Sequence, residues 1–333
     1  MGGALGAARE NAMKAIVHQR YGSPDVLELR DVDPPALEDD RVLVRVRAAS
    51  VNALDWHTVR GQPYIARFVM GLRKPKTSAM GVDVAGQVDA VGKNVTQFRP
   101  GDAVFGARDG AFAEYVCARE DRVVMKPANL TFEQAAAVPV AALTALQALR
   151  DKGQVRPGQK VLVNGAAGGV GTFAVQIAKA FGADVTATTR TGNVDMVRSI
   201  GADRVLDYTR EDFTKGGQRF DLIVDMGGTR SLWACRRALT RVGTYVMVGG
   251  PSGRWLKPLP RALAAAVLSR FVRHRLLFFV AKINKEDLIV LKELMEAGKV
   301  TPVIDRTYPL SETPEAIRYV EEGHARGKVV ITV

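Results

Sequence analysis

The chain has 333 residues, 47% hydrophobic and 25% charged; that is enough apolar side chain for two cores, and it excludes disorder, a collagen-like repeat or a small disulfide scaffold as a description of the whole. Its 47 basic and 35 acidic residues give a net charge of +12. Only Cys117 and Cys235 are present, too few for a disulfide framework or a thiolate zinc site, so a reducing, cytoplasmic setting is expected.

The first residues, 1–12, lack the apolar core of a secretory signal and read as a loose extension ahead of Met13. From there to about residue 127, short apolar runs punctuated by Gly, Pro, Asp and Asn (MKAIVH, VLELRDV, RVLVRVRAASV, VAGQVDAVG, DAVFG, FAEYVCA, RVVMKP) predict an antiparallel β domain. Residues 64–80 form an insert that is either a lid carrying Tyr64, Phe68 and Met70 or a packed surface helix. A helical period begins at Thr131 and runs through AAAVPVAALTALQAL. Strands and helices then alternate from Lys160 to Lys282, with strands at KVLVNGA, DVTATT, DRVLDY, FDLIVDM, GTYVMVGG and LLFFVAK. That alternation predicts an α/β domain with a doubly wound, parallel six-stranded sheet. A helix over Lys285 to Gly298, an extended VIDRTYPL, a helix from Pro314 to Glu322 capped by Thr313, and a strand VVITV complete the chain and rejoin the first domain.

The most informative segment is KVLVNGAAGGVGTFAVQIAK, in which a strand enters AAGGVG and passes directly into a helix. Gly168 allows close approach of a pyrophosphate, the helix opening at Gly169 and Val170 offers free N–H groups, and Gly171 lets that helix pack on the strand. Ala166 stands at the first glycine of the usual fingerprint. At the end of the second strand stand Thr189, Arg190 and Thr191, donors where an acid would be needed for a ribose 2′-hydroxyl. A 2′-phosphate is favoured there, which makes NADPH the expected dinucleotide.

With VNALDWHTVRG, GVDVAGQVDAVG, FRPGDAVFG, FAEYV and NGAAGGVG in this order, the chain resembles the medium-chain dehydrogenase/reductase superfamily from Met13 to Val333, and within it the zinc-free quinone oxidoreductases. The resemblance implies a GroES-like catalytic domain over residues 13–139 and 283–333, a Rossmann domain over 140–282, and an active site between them. It implies that Asn52 and Asp55 line the nicotinamide and substrate side, and that Thr144 contacts the nicotinamide. It further implies that the backbone at Phe279 and Val280 holds the carboxamide, and that Asn193, Tyr208 and Lys328 contact phosphates or adenosine. Where zinc-binding relatives place their metal ligands, this chain has Asn52, Val82 and Ala141, so no metal is expected. His57 occupies a position that is often Tyr in this branch and is either a proton donor or a neutral, hydrogen-bonded side chain beside Trp56.

These residues together predict an NADPH-dependent, zinc-independent reductase of a quinone or an α,β-unsaturated carbonyl compound. The alternatives are a reductase or dehydrogenase of ordinary carbonyls, or a protein that binds NADPH while associating with RNA or a membrane surface. Those last partners are suggested by residues 226–285, which carry twelve Lys or Arg and no acid. A homodimer contact explains the same region better: LLFFVAK is expected at a sheet edge, with Leu259, Leu263, Val267 and Phe271 packed over the joint and Arg261, Arg270, Arg273 and Arg275 facing water.

Overall fold

The computed structural model describes residues 12–248, 263–265, 268–269 and 272–333. Nearly all of the expected loose extension lies outside the described residues, as do Leu259, Arg261, Val267, Arg270 and Phe271 of the expected dimer stripe.

The first strands follow the period-two pattern of the sequence. β1 (Met13–His18) and β2 (Leu27–Val32) form an antiparallel hairpin. β3 (Arg41–Val51), β4 (Asp83–Val91), β5 (Ala103–Ala107), β6 (Tyr115–Arg119) and β7 (Val123–Met125) enter a larger sheet. Alternate residues of β3, Val42, Val44 and Val46, are buried while Arg45 and Arg47 are exposed. Between β3 and β4 lie α1 (Ala53–Arg60) and α2 (Arg67–Met70). The latter follows a 3-10 turn (Tyr64–Ala66) that opens the 64–80 insert, whose Phe68 is 72% exposed and therefore not a packed core side chain.

Two helices, α3 (Phe132–Ala136) and α4 (Pro139–Gln147), stand where the sequence suggests one helical run. Pro139 has no N–H to continue α3 and instead starts α4, its fixed φ suiting a first turn. Thr131 caps α3, its Oγ1 accepting the Gln134 N–H at 3.2 Å. The alanines Ala135, Ala141, Ala142 and Ala145 are fully or almost fully buried, which brings these helices close to their neighbours.

A six-stranded parallel sheet follows: β8 (Lys160–Asn164), β9 (Asp184–Thr189), β10 (Arg204–Asp207), β11 (Phe220–Asp225), β12 (Leu239–Met247) and β13 (Arg275–Phe278). Their spatial order is β10-β9-β8-β11-β12-β13, the doubly wound arrangement expected from the sequence. Interleaved with them are α5 (Gly169–Ala180), α6 (Val194–Ser199) and α7 (Leu232–Arg237). One face packs Val161, Val163 and Leu222 against Phe173 and Ile177 of α5; the other buries Leu162, Ile223 and Tyr245.

LLFFVAK is a shorter strand than its composition suggests. Beyond Phe278 the chain leaves the sheet, because Gln147 takes both backbone groups of Lys282: its Oε1 accepts the N–H at 2.9 Å and its Nε2 donates to the carbonyl at 2.7 Å. After α8 (Lys285–Glu296), β14 (Ile304–Pro309) and β15 (Lys328–Thr332) return to the first sheet, with α9 (Thr313–Glu321) between them. The order there is β14-β15-β3-β4-β5-β7, with β6 also on β3. Thr313 is not the cap of α9 but its first residue; its hydroxyl donates backward to the Leu310 carbonyl at 2.7 Å, and Glu312 takes the cap position without a side-chain cap hydrogen bond.

Candidate active site

The carboxyl ends of β8, β9, β10 and β11 open on a cleft of about 650 Å³, next to the reversal of strand order between β8 and β11 where doubly wound sheets bind ligands. Gly165, Ala167 and Gly168 form its floor, and Thr189, Arg190, Asn193 and Tyr208 one wall. The opposite wall comes from the return segment, with Arg306, Tyr319, His324 and Arg326. A bridge between Gly168 and Gly327 joins the two sides.

The turn itself is built by three glycines with distinct tasks. Gly165 has φ +91°, a left-handed conformation that side chains disfavour. At Gly171 a Cβ would lie 2.2 Å from the Gly165 carbonyl oxygen, so only hydrogen lets α5 sit on this turn. At Gly168 a Cβ would meet nothing closer than that oxygen at 3.7 Å, which leaves backbone bare toward the cleft. Beneath, Thr188 Oγ1 donates to Asn164 Oδ1 at 2.5 Å, while Asn164 Nδ2 and the Tyr245 hydroxyl donate to Asp225 at 2.7 and 2.6 Å. This buried network fixes the ends of β8, β9, β11 and β12 relative to one another.

The four residues at and after the end of β9 divide. Thr189 is buried, Arg190 is exposed along the wall, and Asn193 has a buried Oδ1 with no hydrogen-bond partner among the described residues. Thr191 does not join them, because its hydroxyl donates to Asp207 at 2.5 Å. Tyr208 is 44% exposed on the same wall.

Lys328 departs from its expected phosphate contact. Its stem passes Gly169, where a Cβ would meet Lys328 Cδ at 3.0 Å, but its ammonium turns inward. There it donates to Asn52 Oδ1 at 2.7 Å, the Val51 carbonyl at 3.1 Å and Asp83 Oδ2 at 3.3 Å. Asp83, fully buried, also accepts from Ser50 Oγ (2.8 Å), Asn52 Nδ2 (2.9 Å) and the Val140 N–H (2.9 Å). One carboxylate thus ties β3, β15 and the start of α4 around the Asn52 amide and fixes which way that amide faces.

Asp55 lies in the first turn of α1 and accepts the N–H of Asn52, the helix cap, at 2.7 Å. Burial, with Asp83 nearby, pushes its carboxyl up from 3.8 to about 7 despite that hydrogen bond. His57 stacks on Trp56 with ring centroids 3.6 Å apart. Its Nδ1 is buried without a partner among the described residues, and burial lowers its pKa, which favours the uncharged imidazole. Thr144 donates its hydroxyl to the Val140 carbonyl at 2.6 Å. Phe279 is buried and Val280 is 77% exposed, both just past β13.

Several site residues escaped the sequence reading: Gly165, Ser50, Asp83, Arg306, His324 and Arg326. Gly165 was legible as the glycine directly after the strand. Asp83 lay directly beside Val82, in the GVD segment already compared with the metal ligands of zinc-binding relatives.

A nucleotide-sized cleft at the switch point of a doubly wound sheet, faced by a β domain with a buried polar centre, defines a two-domain oxidoreductase architecture. Residues 38–128 match the alcohol dehydrogenase GroES-like domain and residues 200–331 the zinc-binding dehydrogenase model. The chain is 38% identical to mouse NAD(P)H oxidoreductase RTN4IP1, mitochondrial, over 98% of its own length and 91% of that protein. It is 36% identical to tomato 2-methylene-furan-3-one reductase, covering 96% and 79%. The quinone oxidoreductase structure from Coxiella burnetii superposes with a TM-score of 0.85 at 32% identity, covering 97% of this chain and 99% of that one. The chain belongs to the medium-chain dehydrogenase/reductase superfamily, in its zinc-free quinone oxidoreductase branch.

Proposed function

We propose that the protein uses NADPH to reduce a quinone or an α,β-unsaturated carbonyl compound without zinc. The observation that carries the cofactor choice is the charge of the cleft wall. Arg190 stands on one side and Arg306 and Arg326 on the other, while Asp305, the single carboxylate among the described lining residues, accepts from the Tyr319 hydroxyl at 2.8 Å and the Arg326 N–H at 3.0 Å. A 2′-phosphate suits that wall better than a bare hydroxyl. The bare backbone at Gly168 and the unpartnered Asn193 Oδ1 fit the rest of a dinucleotide.

A bound nicotinamide supplies the hydride. The chain's part is to present an electron-poor carbon to it and to stabilise negative charge on the acceptor oxygen. Asn52 suits the first task, since Lys328 and Asp83 hold both ends of its amide. Its second Nδ2 hydrogen remains to donate. Asn52, Val82 and Ala141 offer no zinc donor set, and without a Lewis acid alcohol oxidation loses its usual means of lowering the hydroxyl pKa. Relatives are named NADPH-dependent alkenal/one oxidoreductase, 2-methylene-furan-3-one reductase and quinone-oxidoreductase, and the compounds in those names all carry a conjugated carbonyl. The sheet edge at β13, with Phe278 partly exposed, supports pairing with a second copy.

The test is steady-state oxidation of NADPH and NADH with a panel of quinones, enones and simple aldehydes, with chelator present. NADPH-dependent turnover of conjugated acceptors is expected. Equal use of NADH, or turnover confined to simple alcohols and aldehydes, overturns the reading.

A further inference from the structure

The segment after α1 is amphipathic the wrong way round for a soluble protein. Arg67 and Tyr64 pack back onto the domain: Arg67 lies over the rings of Tyr21 and Tyr64, 4.4 and 4.6 Å from their centroids, and donates to the Gly61 and Arg60 carbonyls at 2.9 and 3.1 Å. The Tyr21 hydroxyl donates to the Gly71 carbonyl at 2.7 Å, so the segment is pinned at both ends. Its apolar side chains face out. Ile65, Phe68 and Val69 recur at helical spacing and are 42%, 72% and 75% exposed, and Leu72 beyond them is 63% exposed. Scattered exposed apolar residues are ordinary, but four within eight positions of one pinned segment concentrate apolar surface locally.

The charge around this patch is one-sided. No Asp or Glu occurs from residue 56 to residue 82. Arg73, Lys74 and Lys76 are exposed, and their side chains make no ion pair or hydrogen bond with the described residues. The Lys76 N–H donates back to the Met70 carbonyl at 2.8 Å, which folds these cations against the end of the apolar turn.

We propose that residues 64–76 are a docking surface for an anionic lipid bilayer, with Phe68, Val69 and Leu72 entering the interface and Arg73, Lys74 and Lys76 meeting acidic headgroups. A bilayer supplies the apolar layer and the negative charge at the depths this surface requires. A second copy paired symmetrically on the same patch would oppose cation to cation. The inference is independent of the electron acceptor.

The experiment is co-sedimentation of the full chain with phosphatidylcholine vesicles, with and without phosphatidylglycerol, alongside sedimentation velocity without lipid. Pelleting is expected with the anionic vesicles alone and is weakened by salt. Neutralising one cation costs about fivefold in partitioning, and Arg73→Gln, Lys74→Gln and Lys76→Gln together cost roughly a hundredfold. Phe68→Glu with Val69→Glu abolishes pelleting while leaving the thermal midpoint unchanged, because both side chains are exposed. The proposal fails if the wild type stays in the supernatant with anionic vesicles, or if both variants pellet as it does. It also fails if the patch instead supports a protein dimer that the double variant dissolves in the absence of lipid binding.

Discussion

Replacing Asp55 with Asn isolates the titration of one buried carboxyl. In the folded chain burial raises Asp55 from 3.8 to about 7, so the native state holds a proton that the unfolded chain has released over most of that interval. The sign follows directly: the contribution to stability is fully present below pH 3.8 and is lost as pH rises through about 7. The whole displacement corresponds to ~4 kcal/mol, of which roughly 2 to 3 kcal/mol disappears between about pH 5 and pH 8. Asn keeps an oxygen to accept the Asn52 N–H but carries no titrating proton. Urea unfolding of wild type and Asp55→Asn across that range, taken as a difference, therefore shows the variant gaining relative stability as pH rises. Parallel pH profiles for the two proteins would refute the assignment of a raised pKa to this carboxyl.

Arg190→Ala is expected to weaken NADPH binding by about 1–3 kcal/mol, the scale of one charged hydrogen bond, with NADH nearly unaffected; fluorescence titration with both cofactors measures it. Lys328→Met leaves Asp83 buried without its cation and is expected to lower unfolding free energy by about 3–5 kcal/mol, with the Asp83→Asn, Lys328→Met double variant losing less than the sum. Gly171→Ala drives a Cβ against the Gly165 carbonyl, so denaturant unfolding should show a loss of about 1–3 kcal/mol accompanied by weaker dinucleotide binding.

Most of the fold could be read in the sequence because strands and helices impose local periods. The six parallel strands were visible as apolar runs spaced by helical patterns, and the glycine turn between β8 and α5 stood out for its order of strand, turn and helix. What stayed hidden depends on partners distant in the chain. Lys328 carried a signal for a phosphate contact, yet the carboxylate that claims its ammonium lies 245 residues away, and no local pattern encodes that pairing. Thr191 appeared as a donor to a ligand, but Asp207, brought alongside by β10, accepts its hydroxyl hydrogen bond. LLFFVAK has strand composition throughout, but the amide of Gln147 decides where the strand stops. Hydroxyl and amide groups have several partners of similar energy, and tertiary structure chooses among them.

The antiparallel pairing of β15 with β3 bears on the order in which the molecule assembles. Strands β8 to β12 follow one another closely, and each crossover closes a modest loop. The seam at β3 instead joins Asn52 to a side chain 276 residues further on, among the costliest loop closures in the chain. During synthesis the parallel sheet and its glycine turn can therefore form first, giving half of the nucleotide cleft. The wall bearing Arg306 and Arg326, and the cation that orients the Asn52 amide, arrive only when the last strand docks. Completion of the cleft is thus coupled to completion of this seam, and an intermediate lacking it would present the bare glycine turn without the facing wall or the oriented Asn52 amide.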